Sequence, residues 1–364
     1  MLYARTRLPL HDERNMALIT TIIPTYNRAR ELRRAVRSVL NQTYPHLRVC
    51  IYDNASTDET AAVVTEMAKG DSRIVYHRHS ENIGPTRNHF YGWQRVETPY
   101  FSFLADDDVL LPHFYEKAME GFQKYPQAGF SSLATIIVYT RDKVGVLGCQ
   151  GWQPGLYPPP LGLKKMLENW PPVWTGVLFR RDVGEPIGTL DPEVGQAMDI
   201  DYEYRIASQS PIAISLHPGA LLVAHPGSAT VAGVLDGIWP CWLNLVRKFR
   251  ENPRIPPDIS ELAERVLTRR LQDILYVNCG WLSIMNGKCA QAQKSAEILL
   301  QELQEPRKAR TLRWLVRVQR RFSPFGRLIA SALAGRRKLR TIWSPALREQ
   351  KRLYLAYERY LDFS

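Results

Sequence analysis

Three carboxylates in a row, Asp106, Asp107 and Asp108, follow the apolar run Phe101-Ser102-Phe103-Leu104-Ala105 and precede Val109-Leu110-Leu111-Pro112. Adjacent carboxylates repel unless solvent or a cation neutralises them, and a hard divalent cation bound through oxygen is the usual neutraliser. A buried strand ending in acids is also how an open α/β sheet brings charge to its ligand crevice. Taken alone the stretch reads equally as a solvated acidic turn; the segments upstream favour the crevice. A second acidic pair, Asp199 and Asp201, lies in Met198-Asp199-Ile200-Asp201-Tyr202-Glu203-Tyr204-Arg205. Near the start of a predicted helix the dipole keeps such carboxylates ionised, whether they do chemistry or only cap charge. His225 follows the apolar run Leu221–Ala224 and precedes Pro226-Gly227-Ser228-Ala229-Thr230. Its imidazole suits Mn²⁺ better than Mg²⁺ if it is a ligand, and it is otherwise an exposed loop histidine.

The elements that must position these groups alternate in type. Ala17–Ile23 is an apolar, β-branched run stopped by Pro24, and Arg30–Leu40 then has helical periodicity through Leu32, Val36, Val39 and Leu40. Leu47–Tyr52 reads as a second strand, closed by the loop Asp53–Asp58, where Ser56 or Thr57 can cap a helix over Asp58–Lys69. A third strand (Arg73–His77), a helix (Pro85–Arg95) and a fourth strand (Tyr100–Leu104) follow. This βαβαβαβ order predicts a largely parallel sheet with helices on both faces. Neither a G-x-G-x-x-G turn nor a Walker A loop follows the first strand, so a nucleotide would be held by side chains at strand ends.

The segments Ile22-Ile23-Pro24-Thr25-Tyr26-Asn27-Arg28, Asp53-Asn54-Ala55-Ser56-Thr57-Asp58-Glu59-Thr60, Asn82-Ile83-Gly84 with Arg87-Asn88, and Asp106-Asp107-Asp108 occur in this order. Together, across roughly residues 17–115, they resemble the family 2 glycosyltransferases of GT-A fold. The resemblance implies a Rossmann-like mixed α/β sheet, a nucleotide-sugar donor, a divalent metal (Mn²⁺ or Mg²⁺) and inversion at the anomeric carbon. By that resemblance Pro24, Thr25, Tyr26 and Arg28 would line the nucleoside pocket. Asp53 would accept a hydrogen bond from the base, which suits the imide N–H of uracil. Arg87 would contact the ribose or phosphate side, and Asp106, with Asp107, would lie near the ribose and metal. Asp108 would ligate the metal directly, and His225 resembles the family's late metal- or phosphate-contacting histidine. Asp199, with Asp201 second, would be the general base that deprotonates the acceptor hydroxyl. One departure is Asn54-Ala55, where the family commonly has Asp-Gly.

Further along, Gly129–Tyr139 and Val144–Leu147 read as a strand pair, and the Gly-, Pro- and aromatic-rich 150–160 as a mobile acceptor-side loop. Trp152 and Tyr157 are candidates for stacking on a sugar face, with packing the even alternative. Trp174–Phe179 would cross the sheet beside the donor sugar.

The 364 residues suffice for a full core. Residues 1–15 read as an unstructured extension, 16–234 as the GT-A domain and 235–364 as a helical, basic C-terminal region. No apolar run of spanning length and no signal-type segment is seen, and the five cysteines show no paired metal spacing; a reduced, cytoplasmic protein is expected. The net charge of +12 is concentrated at the end: residues 306–364 hold 16 Lys/Arg against three acids, leaving the rest at −1. Arginines interleaved with Leu312, Trp314, Leu315, Val316 and Val318 suit an anionic membrane surface, giving a peripheral protein at the inner face, or a solvated helix face. No nucleic-acid motif accompanies the charge, so no nucleic-acid partner is expected. The leading expectation is a glycosyltransferase acting on a glycan or lipid-linked acceptor. The alternatives are a non-catalytic nucleotide-sugar or glycan binder, and a membrane adaptor working through its basic tail.

Overall fold

A computed structural model describes residues 18–361 apart from 141, 226–234 and 322–344. The expected extension over 1–15 and the 322–344 part of the helical, basic region expected over 235–364 lie outside the described residues. The first part of the chain begins β1 (Ile19–Thr25), α1 (Ala29–Leu40), β2 (Leu47–Asp53), α2 (Thr60–Gly70), β3 (Ile74–Arg78), α3 (Pro85–Trp93) and β4 (Tyr100–Phe103). It continues through β5 (Val109–Leu110), α4 (Phe114–Lys124), β6 (Phe130–Tyr139), β7 (Val144–Leu147), β8 (Gly155–Tyr157) and α5 (Leu161–Glu168). A 3₁₀ turn (Trp174–Gly176) leads into β9 (Val177–Arg180), α6 (Arg181–Ile187), α7 (Met198–Gln209) and β10 (Ile212–Ala224).

These strands form one sheet in the order β3-β2-β1-β4-β9-β6-β10-β5, with β7 added to β6 and β8 to β10. Strands β1 to β4 are mutually parallel where they pair, β9 runs antiparallel to β4 and β6, and β10 is parallel to β6. This is the mixed α/β sheet expected. The chain leaves β1 toward β2 on one side and returns as β4 on the other, so the switch point of the sheet lies between β1 and β4.

Every residue of β1 is buried, as a strand covered on both faces requires. Its side chains alternate: Ile19 and Ile23 join Leu32 and Val36 of α1 and Phe114 of α4, while Ile22 joins Phe101, Phe179 and Tyr202 on the other face. The second cluster does not stop at residue 235. It continues through α8 (Leu235–Glu251), α9 (Pro257–Asp273), α10 (Cys289–Gln301) and α11 (Pro306–Arg321), down to Leu315 and Val316. The helical region therefore shares a core with the sheet. Arg270 of α9 ties it further, donating to Tyr204 Oη (2.9 Å) and the Leu167 carbonyl (2.9 Å).

A last helix, α12 (Pro345–Tyr357), falls in the region expected to be helical, without having been delimited there. It packs on β7, and Tyr354 is buried with Val109, Leu111, Ile136, Val138 and Leu221. Gly145 permits this approach, since a Cβ there would lie 3.2 Å from the Tyr354 backbone nitrogen. Trp152, a stacking candidate by sequence, is instead only 3% exposed, donating Nε1–H to the Trp170 carbonyl and packing edge-on against Tyr157. Its ring is committed to the core.

One polar group in that core stands out. Glu203 of α7 is 1% exposed, and neither carboxylate oxygen has a hydrogen-bond partner. Burial, followed by the charge of Asp199, raises its pKa well above the usual glutamate value. The folded state thus holds a proton that the unfolded chain releases, so stability is full at low pH and falls as pH rises above the ordinary Glu range. Glu203→Met should raise stability by about 1–3 kcal/mol near pH 8, the cost of a buried unsatisfied group, and gain progressively less toward pH 4. Urea denaturation across that pH range measures both the gain and its slope.

Candidate functional site

The acidic turn after β4 meets the turn after β1 at the switch point. Thr25 Oγ1, at the end of β1, donates to Asp106 Oδ2 (2.8 Å). Arg28 Nη1 donates to Asp106 Oδ1 (3.1 Å) and to Asp107 Oδ2 (2.5 Å). His225 Nε2, just past β10, lies 2.9 Å from the same Asp107 oxygen. Five positions chosen from the sequence thus converge: Thr25, Arg28, Asp106, Asp107 and His225.

Asp108 goes elsewhere. Its Oδ2 accepts from Thr175 Oγ1 (2.6 Å) and its Oδ1 from the Val223 N–H (2.9 Å). It is 3% exposed and faces the protein interior. The reason is the short strand that follows: β5 pairs antiparallel with β10, Val109 opposite Leu221, and Asp108 extends that pairing with its side chain. The expected direct metal ligand is therefore a staple between the acidic turn, the 3₁₀ turn at Thr175 and β10. Asp107 takes the place beside His225.

Crowding shows in the proton affinities. Burial pushes the Asp106 carboxyl up to about 6, with Asp107 adding to the effect and Arg28 opposing it. Burial and Asp107 push Asp108 up to about 7. Among the described residues no group of three His, Cys, Asp or Glu side chains forms a complete metal cage. Asp107 and His225 nonetheless offer one hard oxygen and one imidazole nitrogen on adjoining atoms. That donor set fits a divalent cation whose remaining positions are filled by water or phosphate oxygens.

Helix α1 holds the acidic turn in place by a ladder that sequence reasoning missed. Arg34 Nη2 donates to the Asp107 carbonyl (2.5 Å). One turn on, Ser38 Oγ accepts from the Leu110 N–H (3.1 Å). A further turn on, Gln42 donates Nε2–H to the Leu111 carbonyl (2.8 Å) and accepts from the Tyr115 N–H (3.2 Å). The signal available was three polar residues at i, i+4 and i+8, two in the amphipathic helix and Gln42 just past its end.

The loop after β2 is organised from within. Asp53 is fully buried and accepts from Tyr76 Oη (2.7 Å) and from the Ser56 N–H (2.8 Å), with Arg78 Nε 3.6 Å away. Asn54 donates to Asn82 Oδ1 (2.9 Å) and accepts from the Ile83 N–H (2.8 Å), which joins this loop to the Asn82-Ile83-Gly84 turn. A carboxylate at 54 could not donate that first bond. Ala55 has φ of 61°, a left-handed conformation that costs a residue with Cβ about 1 kcal/mol and glycine nothing. The expected helix caps Ser56 and Thr57 serve otherwise: the first N–H of α2, on Thr60, is bonded by Asp58. Pro24 is buried at the end of β1, Tyr26 is 44% exposed beyond it, and Arg87 is exposed on the first turn of α3.

Of the second acidic pair, Asp201 is 3% exposed and bound by Arg205 through Nε (2.8 Å) and Nη2 (2.7 Å). Burial raises its pKa and Arg205 opposes that shift; a buried carboxylate whose Oδ2 is held by the guanidinium is poorly placed to reach an acceptor proton. Asp199 is only partly buried, and its Oδ1 accepts solely from the adjacent Ile200 N–H at 2.8 Å in the contacts seen. Burial pushes it up to about 6. Tyr202, packed on Phe101, Phe179 and Trp93, seats this helix against β4, β9 and α3. Beside Thr175, the Trp174 ring stacks on Phe103 (4.2 Å between centroids) and lies parallel to His89 (6.2 Å), an aromatic shelf next to the end of β4.

Comparison with known proteins agrees with this geometry. Residues 20–183 match the family model described as Glycosyl transferase family 2. A Campylobacter jejuni protein named GalNAc(5)-diNAcBac-PP-undecaprenol beta-1,3-glucosyltransferase is 34% identical over 112 residues, 29% of this chain and 36% of that one. An uncharacterized glycosyltransferase of Nostoc is 29% identical over 177 residues, 48% of this chain and 54% of its own. The chain thus spans about a third to a half of these relatives' lengths. Among solved structures, Staphylococcus aureus TarS 1-349 in complex with UDP-GlcNAc superposes with a TM-score of 0.58 at 13% identity, covering 88% of this chain and 92% of that one. Mannosyltransferase PcManGT of Pyrobaculum calidifontis, in complex with GDP-Man and Mn²⁺, gives 0.53 at 15% identity, covering 96% and 86%. At such identities the likeness is one of fold. Residues 20–183 are a family 2 glycosyltransferase domain, built on a GT-A-type sheet.

Proposed function

We propose that this protein is a metal-assisted, inverting glycosyltransferase that moves a sugar from a nucleotide-sugar donor to a hydroxyl of a glycan or lipid-linked acceptor, in the synthesis of a surface polysaccharide or glycoconjugate. The observation that carries the reading is the convergence of Arg28, Asp106, Asp107 and His225 at the switch point, with an uncommitted carboxylate, Asp199, on α7. Thr25, Tyr26, Arg28, Arg87 and Asp106 would hold the nucleoside diphosphate. A UDP-sugar is favoured by the resemblance, in which Asp53 would accept from an imide N–H; its carboxylate is here fully buried and held by Tyr76 and Ser56. Asp107 and His225 would hold Mn²⁺ or Mg²⁺. The ion, when bound, stabilises negative charge on the departing diphosphate. Asp199 accepts the proton of the acceptor hydroxyl as that oxygen attacks the anomeric carbon. The C–O bond to the diphosphate breaks as the new one forms, so inversion needs no covalent enzyme intermediate. A relative named for an acceptor on PP-undecaprenol supports a lipid-linked acceptor.

The basic region would carry the protein to that acceptor. On α11 the apolar face (Leu312, Leu315, Val316) is buried, while Arg307, Arg310, Trp314 and Arg317 face solvent, Trp314 being 47% exposed. An indole among arginines suits the headgroup layer of an anionic membrane. No helix among the described residues is long and apolar enough to cross one.

The first test is calorimetric titration of UDP, GDP and dTDP with and without Mn²⁺. One nucleotide should bind in a metal-dependent manner, and Asp107→Ala should abolish the metal dependence at unchanged melting temperature; absence of binding to all three rejects the donor site. Asp108→Ala should instead lower the melting temperature, since it leaves the Val223 N–H and Thr175 without their acceptor. Asp199→Asn should reduce kcat by about 10²–10⁴-fold with donor affinity retained, and the wild-type rate should fall about tenfold per unit below pH 6 as the base is protonated. An asparagine variant with full turnover would remove Asp199 from the mechanism. For the membrane surface, sedimentation with phosphatidylglycerol vesicles should bring down the protein at low salt and not at high salt, and Trp314→Ala with Arg310→Ala and Arg317→Ala should weaken it at least tenfold; equal pelleting with neutral vesicles would exclude an electrostatic surface.

A further inference from the structure

We propose that the C-terminal segment Pro345–Leu361 is a positioning element of the donor site, acting through Arg34. The inference rests on the donor-site reading above. Arg34 leaves α1 as a half-buried guanidinium whose two terminal nitrogens reach in different directions. Nη2 donates to the carbonyl of Asp107, the residue beside His225, while Nη1 donates to the carbonyl of Leu361 (3.1 Å). The two acceptors are 254 positions apart in the chain but share one planar fork, so the place of Leu361 sets the angle at which Arg34 grips Asp107.

The burial of this cation is only partly compensated by nearby carboxylates. Its Nε–H is buried without a hydrogen-bond partner, and burial lowers its pKa from the usual arginine value despite the nearby charges of Asp108, Glu31 and Asp107. A cation held under such conditions depends on both carbonyls. The apolar contacts of the segment converge on the same place. Tyr354 packs with Val109 and Leu111, which directly follow the acidic triplet, and Leu353, Tyr357, Tyr360 and Leu361 line the same cluster. Lys143 Nζ, 3.9 Å from Glu358, adds a weak surface pair. The C-terminal segment therefore packs on the residues that directly follow the acidic turn and shares Arg34 with it. It is a part of the site's support that lies beyond the 20–183 family match.

The test uses full-length protein and calorimetric titration of UDP, or whichever nucleotide the wild type binds, with and without Mn²⁺. Arg34→Gln should weaken metal-dependent binding about tenfold, the equivalent of one charge-assisted hydrogen bond, with metal-free binding changed less than twofold. Arg34→Lys should keep the melting temperature but not the metal-dependent affinity, because one ammonium cannot span both carbonyls. Tyr354→Ala should show the same split, and adding it to Arg34→Gln should weaken binding no further. Unchanged metal dependence in a folded Arg34→Gln protein, full recovery in Arg34→Lys, or additive effects in the double variant would overturn the inference. If Arg34→Gln does not fold, the Arg34→Lys and Tyr354→Ala proteins decide by the same criteria. Wild-type protein that binds no nucleotide overturns the donor-site reading, and this inference with it.

Discussion

Three adjacent carboxylates taken out of water are the constraint around which this protein is built. Asp106, Asp107 and Asp108 are each less than 10% exposed, and an unpaired buried carboxylate costs several kcal/mol. The structure meets the cost in three different ways. Asp106 shares a hydroxyl and a guanidinium, Asp107 shares that guanidinium with an imidazole, and Asp108 is held by neutral donors with its pKa pushed up to about 7. Three identical residues in sequence thus become three chemically distinct groups, and the distinction comes from their partners.

Those partners arrive from distant parts of the chain, which explains what the sequence reading could and could not supply. The strand and helix alternation through β4 was legible because buried parallel strands are apolar, β-branched runs of a few residues, and because Pro24 and the Asp53–Asp58 loop punctuate them. The convergence of Arg28 with the acidic turn followed from the order of motifs. Which aspartate faces the crevice did not follow. That depends on β5, two residues long and paired with a strand 110 positions later, and no local pattern announces a two-residue strand. The Arg34-Ser38-Gln42 ladder was hidden for a related reason: read for apolar periodicity, α1 yields its buried face and leaves its polar face looking like ordinary solvent-exposed residues.

Trp152 illustrates the opposite error. An aromatic in a Gly- and Pro-rich stretch suggests a mobile sugar-binding loop, yet its indole N–H finds the Trp170 carbonyl and its ring closes the core. Trp174, in a segment read only as a crossing strand, supplies the aromatic shelf instead. Composition cannot separate the two cases, because both rings bury most of their area; the indole N–H groups do, that of Trp152 reaching the Trp170 carbonyl and that of Trp174 having no partner among the described residues.

Charge in this chain is sorted by distance. The excess of basic residues in 306–364 dominates the net charge, but exposed charges act over only about 8 Å at physiological ionic strength. The cations set directly against the acidic turn are Arg28 and Arg34, both from the first helix and its approach, with the His225 imidazole beside them. The arginines of α11 face solvent and can answer to an external anionic surface without altering the proton affinities of the crevice. Arg34, in contrast, accepts burial, and with it a lowered pKa, in exchange for contact with the backbone of Asp107. A positive charge that is poorly solvated and indispensable to local geometry is where a change in packing is felt most strongly, and the last described residue that touches it is Leu361.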